Sequence, residues 1–145
     1  MQLADVPTFA GVIRGEFSFP VTGKAGGVVL VGSPVESADG KEWTALAGDP
    51  TDLAGIAVFD QRKSDAGYAL NDSMTVMVVG IISVTASAAI AAGARLTGAA
   101  AGKVVTSADP GAGVTVKYLG VALSDATADG DIIFMLVMPQ YDTGT

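Results

Sequence analysis

The apolar positions of this chain fall into short runs, many of them at period two, separated by glycine, proline and aspartate. The strongest signal is Tyr118–Met138. Leu119, Val121 and Leu123 alternate with small residues, Asp129–Gly130 is a turn signal, and an uninterrupted apolar run extends from Ile132 to Met138. Alternation of this kind predicts a half-buried strand, and Asp-Gly between two such runs predicts a hairpin. The same order occurs earlier, as Leu53–Asp60, a loop, then Met74–Val79. Further strands are predicted at Val28–Val31, Lys41–Leu46, Ile81–Ala86, Arg95–Thr97, Lys103–Ser107 and Thr115–Ser124. Ser33–Asp39 reads as a loop, and the alanine-rich Ser87–Ala94 as one helical turn ended by Gly93. About eight or nine short strands with this punctuation predict an all-β single domain, a sandwich or jelly-roll-like barrel.

Residues 1–22 differ from the rest. They hold Phe9, Phe17 and Phe19 together with Pro7 and Pro20, and keep no sustained period. The expectation is an extended N-terminal arm over 1–22 and a β-domain over 23–145, the prolines keeping the arm out of a helix. Such an arm can pack on its own domain, or lay Phe9, Phe17 and Phe19 on a partner.

Two halves align. Ala38–Asp60 matches Ala100–Asp125, with Gly40-Lys41 facing Gly102-Lys103, Thr44 facing Thr106 and Gly55-Ile56-Ala57-Val58 facing Gly120-Val121-Ala122-Leu123. Each copy leads into an apolar strand. A Gly-β-Ala-β strand has one face nearly bare, which lets a neighbouring backbone approach. A duplicated unit that cannot cover its apolar face alone packs against its twin. In this alignment Trp43, the single tryptophan, faces Val105. It reads first as a core plug and second as an interface anchor.

Composition narrows the chemistry. The chain has 145 residues, no cysteine and no histidine, and a formal charge of −7. Disulfides, thiolate metal sites and histidine-dependent nucleophilic or metal chemistry are thereby excluded. The bases are scattered, which argues against a direct nucleic-acid partner. Gly98–Lys103 is one residue short of a P-loop, and Val104 stands where a magnesium-ligating hydroxyl belongs. Asp125, Asp129 and Asp131 share one loop but fit no EF-hand spacing, so a solvated turn is expected and no cofactor. No secretory leader is legible. Ser73–Ala94 carries no charge, yet Gly80 and the alternation of Ser83, Thr85 and Ser87 with Val84 and Ala86 favour a strand over a lipid-facing helix.

Ile132–Met138 has no polar face. Each of its side chains is worth ~1.5–3 kcal/mol when fully buried, and a fully apolar strand at a sheet edge aggregates. It must be central or covered by another chain, which points to self-association or docking on a large partner.

The order G-[IV]-A-[VL]-x-D, an apolar strand, Ile90–Val105, Leu119–Asp131 and a closing apolar strand resembles the capsid cement, or decoration, proteins of tailed bacteriophages. The resemblance covers roughly Leu53 to Met138. It implies a β-rich, non-enzymatic structural protein made in the host cytoplasm and bound as an oligomer to the outer capsid surface of the virion. Its partners would be the major capsid protein and itself, a dimer before a trimer, with neither nucleic acid nor membrane bound. Phe9, Phe17, Phe19 and Trp43 are the expected partner contacts. The competing reading is a small receptor- or carbohydrate-recognition module of a virion or cell surface, using Trp43, Tyr68 and Tyr141.

Overall fold

The computed structural model describes residues 13–59 and 67–145, the side chains of residues 13–17 excepted. Among them are nine strands: β1 (Ile13–Ala25), β2 (Pro34–Ser37), β3 (Glu42–Ala45), β4 (Leu53–Ala57), β5 (Ser73–Thr85), β6 (Arg95–Ala99), β7 (Lys103–Thr106), β8 (Thr115–Ala122) and β9 (Ile132–Thr143). All belong to one hydrogen-bonded sheet in the order β1-β3-β2-β4-β5-β9-β8-β6-β7, with an additional β1–β5 pairing. The expected all-β single domain is present, and so is the duplication.

The pairings close two rings. In the first, β1 pairs β3 in parallel, β3 pairs β2, β2 pairs β4, β4 pairs β5, and β5 returns to β1. In the second, β5 pairs β9, β9 pairs β8, β8 pairs β6 and β6 pairs β7. Ala86, just past β5, bridges Val104 of β7 in parallel and completes it. The molecule is thus two small barrels in tandem sharing β5. Gly80, at φ 144°, marks the division: Val76 and Met77 pair with β4, while Gly80–Thr85 pair with β9. Strands that close into rings leave little open edge, which is how a sheet this apolar avoids edge-to-edge aggregation.

Turn hydrogen bonds repeat residue for residue. Ala25 N donates to Asp72 O at 2.9 Å as Ala86 N does to Asp131 O at 2.8 Å. Gly26 N donates to Trp43 O as Ser87 N does to Val104 O, and Ala57 N donates to Ser33 O as Ala122 N does to Ala94 O. The core follows the same correspondence. Ala25, Val29, Val35, Trp43, Ala57, Tyr68, Met74 and Val76 fill barrel 1. Their counterparts Ala86, Ile90, Leu96, Val104, Ala122, Ala126, Ile133 and Met135 fill barrel 2. Leu46, Ala54, Ile56, Val58 and Met77, from barrel 1, belong to that second cluster and extend it into the seam. Close backbone approach needs glycine in both copies. A Cβ on Gly55 would collide with Met77 O, and one on Gly120 with Leu136 O.

One exchange between the two cores is compensated within its own barrel. Trp43 corresponds to Val104, and Gly23, beneath the indole, corresponds to Val84. A Cβ on Gly23 would lie 2.5 Å from Trp43 Nε1. Barrel 1 therefore combines a very large and an absent side chain where barrel 2 has two valines.

Several expectations are corrected. Of the two architectures expected, the barrel is the one present, its strands closing through a repeated hairpin unit rather than as a two-sheet sandwich. Trp43 faces Val104 and not Val105, because hydrogen-bond register follows the parallel bridges and not the matched lysines. Met74–Val79 and Ile81–Ala86 are one continuous strand, since a glycine at positive φ redirects pairing without ending it. Val28–Val31 is no strand: only Val29 pairs, by a bridge to Tyr68. Pro34–Ser37, read as loop, is β2. Ser87–Ala94 forms bends and a turn with no helix, Ile90 bridging Ala126 instead. The boundary between residues 22 and 23 falls inside β1, which pairs with β5 over most of its length. Among the described residues no helix is long and apolar enough to cross a membrane.

Candidate partner-binding surface

The bridge between Val29 and Tyr68 fixes the end of barrel 1. It buries Val29 and Tyr68 completely, Tyr68 Oη donating to Val58 O at 2.7 Å. Alternation then turns the flanking side chains outward. Val28 is 73% exposed, Leu30 45% and Leu70 60%, on the two segments the bridge joins. The corresponding positions of barrel 2 are Ala89, Ala91 and Asp129, and Asp129 is ion-paired with Lys103 at 2.6 Å. Two barrels of one backbone plan thus end differently: one tip is apolar and open, the other small and charged. Exposed apolar side chains placed together in this way make the tip a candidate contact surface. The signal was present in the sequence, because period two applied to Val28–Val31 sends Val28 and Leu30 to one face.

The residues singled out from sequence do not converge. Phe9 lies outside the described residues. Phe17 belongs to β1, and Phe19, on the same strand, is 55% exposed opposite Val79. Trp43 is wholly buried, its Nε1 without a hydrogen-bond acceptor, and cannot anchor a partner from inside barrel 1. Tyr68 is buried too, leaving Tyr141 as the exposed member of the trio invoked for carbohydrate.

The acidic loops are turn devices. Asp125 Oδ1 accepts from Ala92 N at 2.6 Å, and Asp129 faces Lys103. Asp131 Oδ2 accepts from Thr127 N, Thr127 Oγ1 and Ala128 N. These donors, the Thr127 N–H first, hold the Asp131 carboxyl below its ordinary pKa. Asp39, at the β2–β3 turn, is lowered likewise by the N–H groups of Lys41 and Glu42. Beside it an open groove of about 420 Å³ is lined by Glu36, Ser37, Asp39, Glu42, Thr44 and Asp52. Among the described residues no group of three acids could hold a metal ion.

The fold agrees with what the chain is similar to. The sequence pattern described as phage cement protein matches residues 66–138, half of the chain. The chain belongs to the phage cement protein family. As a member it is a structural phage protein, and the matched span is β5 to most of β9, the strands of barrel 2. In its crystal structure the head fiber gp8.5 N base of bacteriophage phi29 superposes with a TM-score of 0.56 at 20% identity, covering 83% of this chain and 94% of that one. At that identity the likeness is one of fold, and its coverage reaches well into barrel 1. No curated protein matches this sequence. The apolar tip, apart from Leu70, lies outside the family match.

Proposed function

We propose that this cement-family protein binds the outer surface of the assembled major capsid protein shell, as a homo-oligomer, and reinforces the shell by bridging neighbouring capsid subunits without catalysing a reaction. The observation that carries the reading is the apolar tip of barrel 1, present in one copy of the duplicated unit and replaced by alanine and an ion-paired aspartate in the other. Burying Val28, Leu30 and Leu70 against a partner is worth ~1.5–3 kcal/mol for each side chain fully covered. Copies that span subunit joints find their whole site only on the assembled shell, so their binding stabilises assembly by mass action. Residues 1–12, including Phe9, would serve as a second contact.

Co-sedimentation with purified shells tests this. Wild-type protein should pellet with expanded shells. The Val28→Asp/Leu70→Asp variant should lose at least tenfold in affinity while its thermal midpoint stays unchanged, since both side chains face solvent. A variant that pellets like the wild type removes the tip from the contact. Wild-type protein that never pellets with shells refutes the reading.

A further inference from the structure

Barrel 1 pairs β2 with β4 from Pro34↔Ile56 to Ser37↔Leu53. In barrel 2 the equivalent strands β6 and β8 pair only at Arg95↔Val121 and Leu96↔Gly120. The irregularity between Tyr118 and Gly120 carries the start of β8 away along β9, and Thr97 and Gly98 of β6 are left without a β8 partner. A segment of barrel 1 takes that place. Gly48, in the loop between β3 and β4, donates its N–H to Gly98 O at 2.8 Å and accepts from Gly98 N at 3.1 Å. Thr97 Oγ1 donates to Gly48 O at 2.5 Å, Ser107 Oγ to Asp49 Oδ1 at 3.2 Å, and Lys117 Nζ to Asp52 O. Residues 46–52 are thus strapped across the seam onto β6, β8 and the end of β7.

The repeat shows which side chains serve the strap. Gly98 corresponds to Ser37, so the barrel plan itself accepts a side chain at this position. A Cβ on Gly98 would lie 2.6 Å from Leu46 O, and the close approach of the strap is what requires glycine there. Leu46 corresponds to Ser107, each N–H donating to the carbonyl that opens the preceding strand pair, Pro34 O and Arg95 O. Leu46 is apolar and enters the core cluster of barrel 2, whereas Ser107 turns its hydroxyl to Asp49 of the strap.

We infer that residues 46–52 are a clasp by which barrel 1 completes barrel 2, so that the two barrels unfold as one unit. Withdrawing the clasp would remove Leu46 from the core of barrel 2 and leave the buried Thr97 hydroxyl and Gly98 N–H without their partners. A buried donor left unpaired costs more than the made bond contributes, so barrel 2 is stable only with the clasp in place. The span matched by the family pattern, 66–138, does not contain the clasp: Leu46, which fills its core, and Gly48, which fills its β6 edge, both precede it. Shared β5 also joins the barrels, and the two couplings are separable by experiment.

Trp43, the sole tryptophan, reports on barrel 1 by its fluorescence. The chain has no cysteine, so a dye on Leu123→Cys, an exposed position of barrel 2, reports on the other barrel without background. In urea the two signals of this otherwise wild-type chain should share one midpoint. Gly98→Ala in the same background should part them, the barrel 2 signal falling roughly 0.5 M or more below that of Trp43. Thr97→Val, which removes only the hydroxyl bond to Gly48 O, should part them by less, and it carries the test if Gly98→Ala does not fold. Two separate midpoints in the labelled chain without further change overturn the inference. So does a single midpoint kept by every variant that folds, which assigns the coupling to β5 alone. Neither readout involves a shell, so the clasp stands or falls apart from the shell-binding reading.

Discussion

The exchange of Trp43 and Gly23 for Val104 and Val84 makes a quantitative prediction about the core. Trp43 is fully buried, so Trp43→Val removes most of an indole and leaves a cavity. Large-to-small changes of this kind cost about 3–5 kcal/mol when truncated to alanine, and somewhat less to valine. Relief of the unpaired Nε1–H returns about 1 kcal/mol, giving a net cost of about 2–3 kcal/mol. Gly23→Ala alone drives its Cβ to 2.5 Å from Trp43 Nε1 and 2.8 Å from Lys41 O. Overpacking of this degree costs about 1–3 kcal/mol. With Trp43→Val in the same chain the indole contact vanishes and only the Lys41 carbonyl remains tight. The added methyl then partly fills the cavity, and the two changes should couple favourably by about 1–2 kcal/mol, within the usual range for residues in contact. Urea unfolding followed by far-UV circular dichroism measures the cycle, the sole tryptophan being unavailable as a probe in half the variants. At a slope of about 1–3 kcal/mol/M the coupling raises the double variant's midpoint by roughly 0.5–1.5 M above additivity. Additivity within about 0.3 kcal/mol would refute the claim that these positions were exchanged as a pair.

Other predictions concern the repeat and its turns. Gly120→Ala should destabilise by about 3 kcal/mol or more in denaturant, and Gly55→Ala comparably, because the new Cβ meets a backbone carbonyl that cannot rotate away. Tyr68→Phe should cost about 1–3 kcal/mol by removing the buried 2.7 Å bond to Val58 O, with little change in dichroism. The lowered carboxyls of Asp39 and Asp131 stabilise the fold above the unfolded aspartate pKa of about 3.9, and that contribution is lost as pH falls through their lower folded values. The stability gap between wild type and Asp131→Asn should therefore hold from neutral pH to about pH 4 and close below it. A gap that persists unchanged at pH 2 would place the role of Asp131 elsewhere.

Much of the fold was legible because period two survives where one face of a strand is buried. β3, β4 and β6 to β9 sit where alternation and turn residues put them, and the Gly-β-Ala-β motif located the copies through a backbone requirement, the approach of Met77 O to Gly55 and of Leu136 O to Gly120. What escaped was long-range. Nothing local says that β5 serves two barrels, since Gly80 looks like a strand break until both neighbours are in place. β1 was hidden because its register shifts between Arg14 and Ser18 and again between Phe19 and Pro20, which destroys its alternation. β2 was hidden by Pro34 and by its short length. The seven-residue run Ile132–Met138 was read as needing cover on both faces. Ile133, Met135 and Val137 do enter the core and Phe134, on the opposite face, is buried too, whereas Ile132 and Leu136 are half-buried and Met138 is exposed.

The duplication separates changes that folding explains from changes that it does not. Inside the barrels a difference at one position is answered by its neighbour, as Gly23 answers Trp43, so each core stays filled. At the tips no such answer exists. Val28, Leu30 and Leu70 touch solvent, and the Ala89, Ala91 and Asp129 of the other copy show that the same backbone closes without large apolar side chains there. Exposed apolar groups add nothing to folding when water remains their neighbour. Their presence on one barrel alone is therefore not explained by folding, and that is the ground on which a partner contact is proposed there. The sharing of β5 gives that asymmetry mechanical sense. A strand common to both rings, together with the Gly48–Gly98 backbone pair across the seam, prevents the barrels from turning independently. Load applied to barrel 1 passes through β5 into β9 along one continuous run of backbone hydrogen bonds, so the two barrels respond to it together.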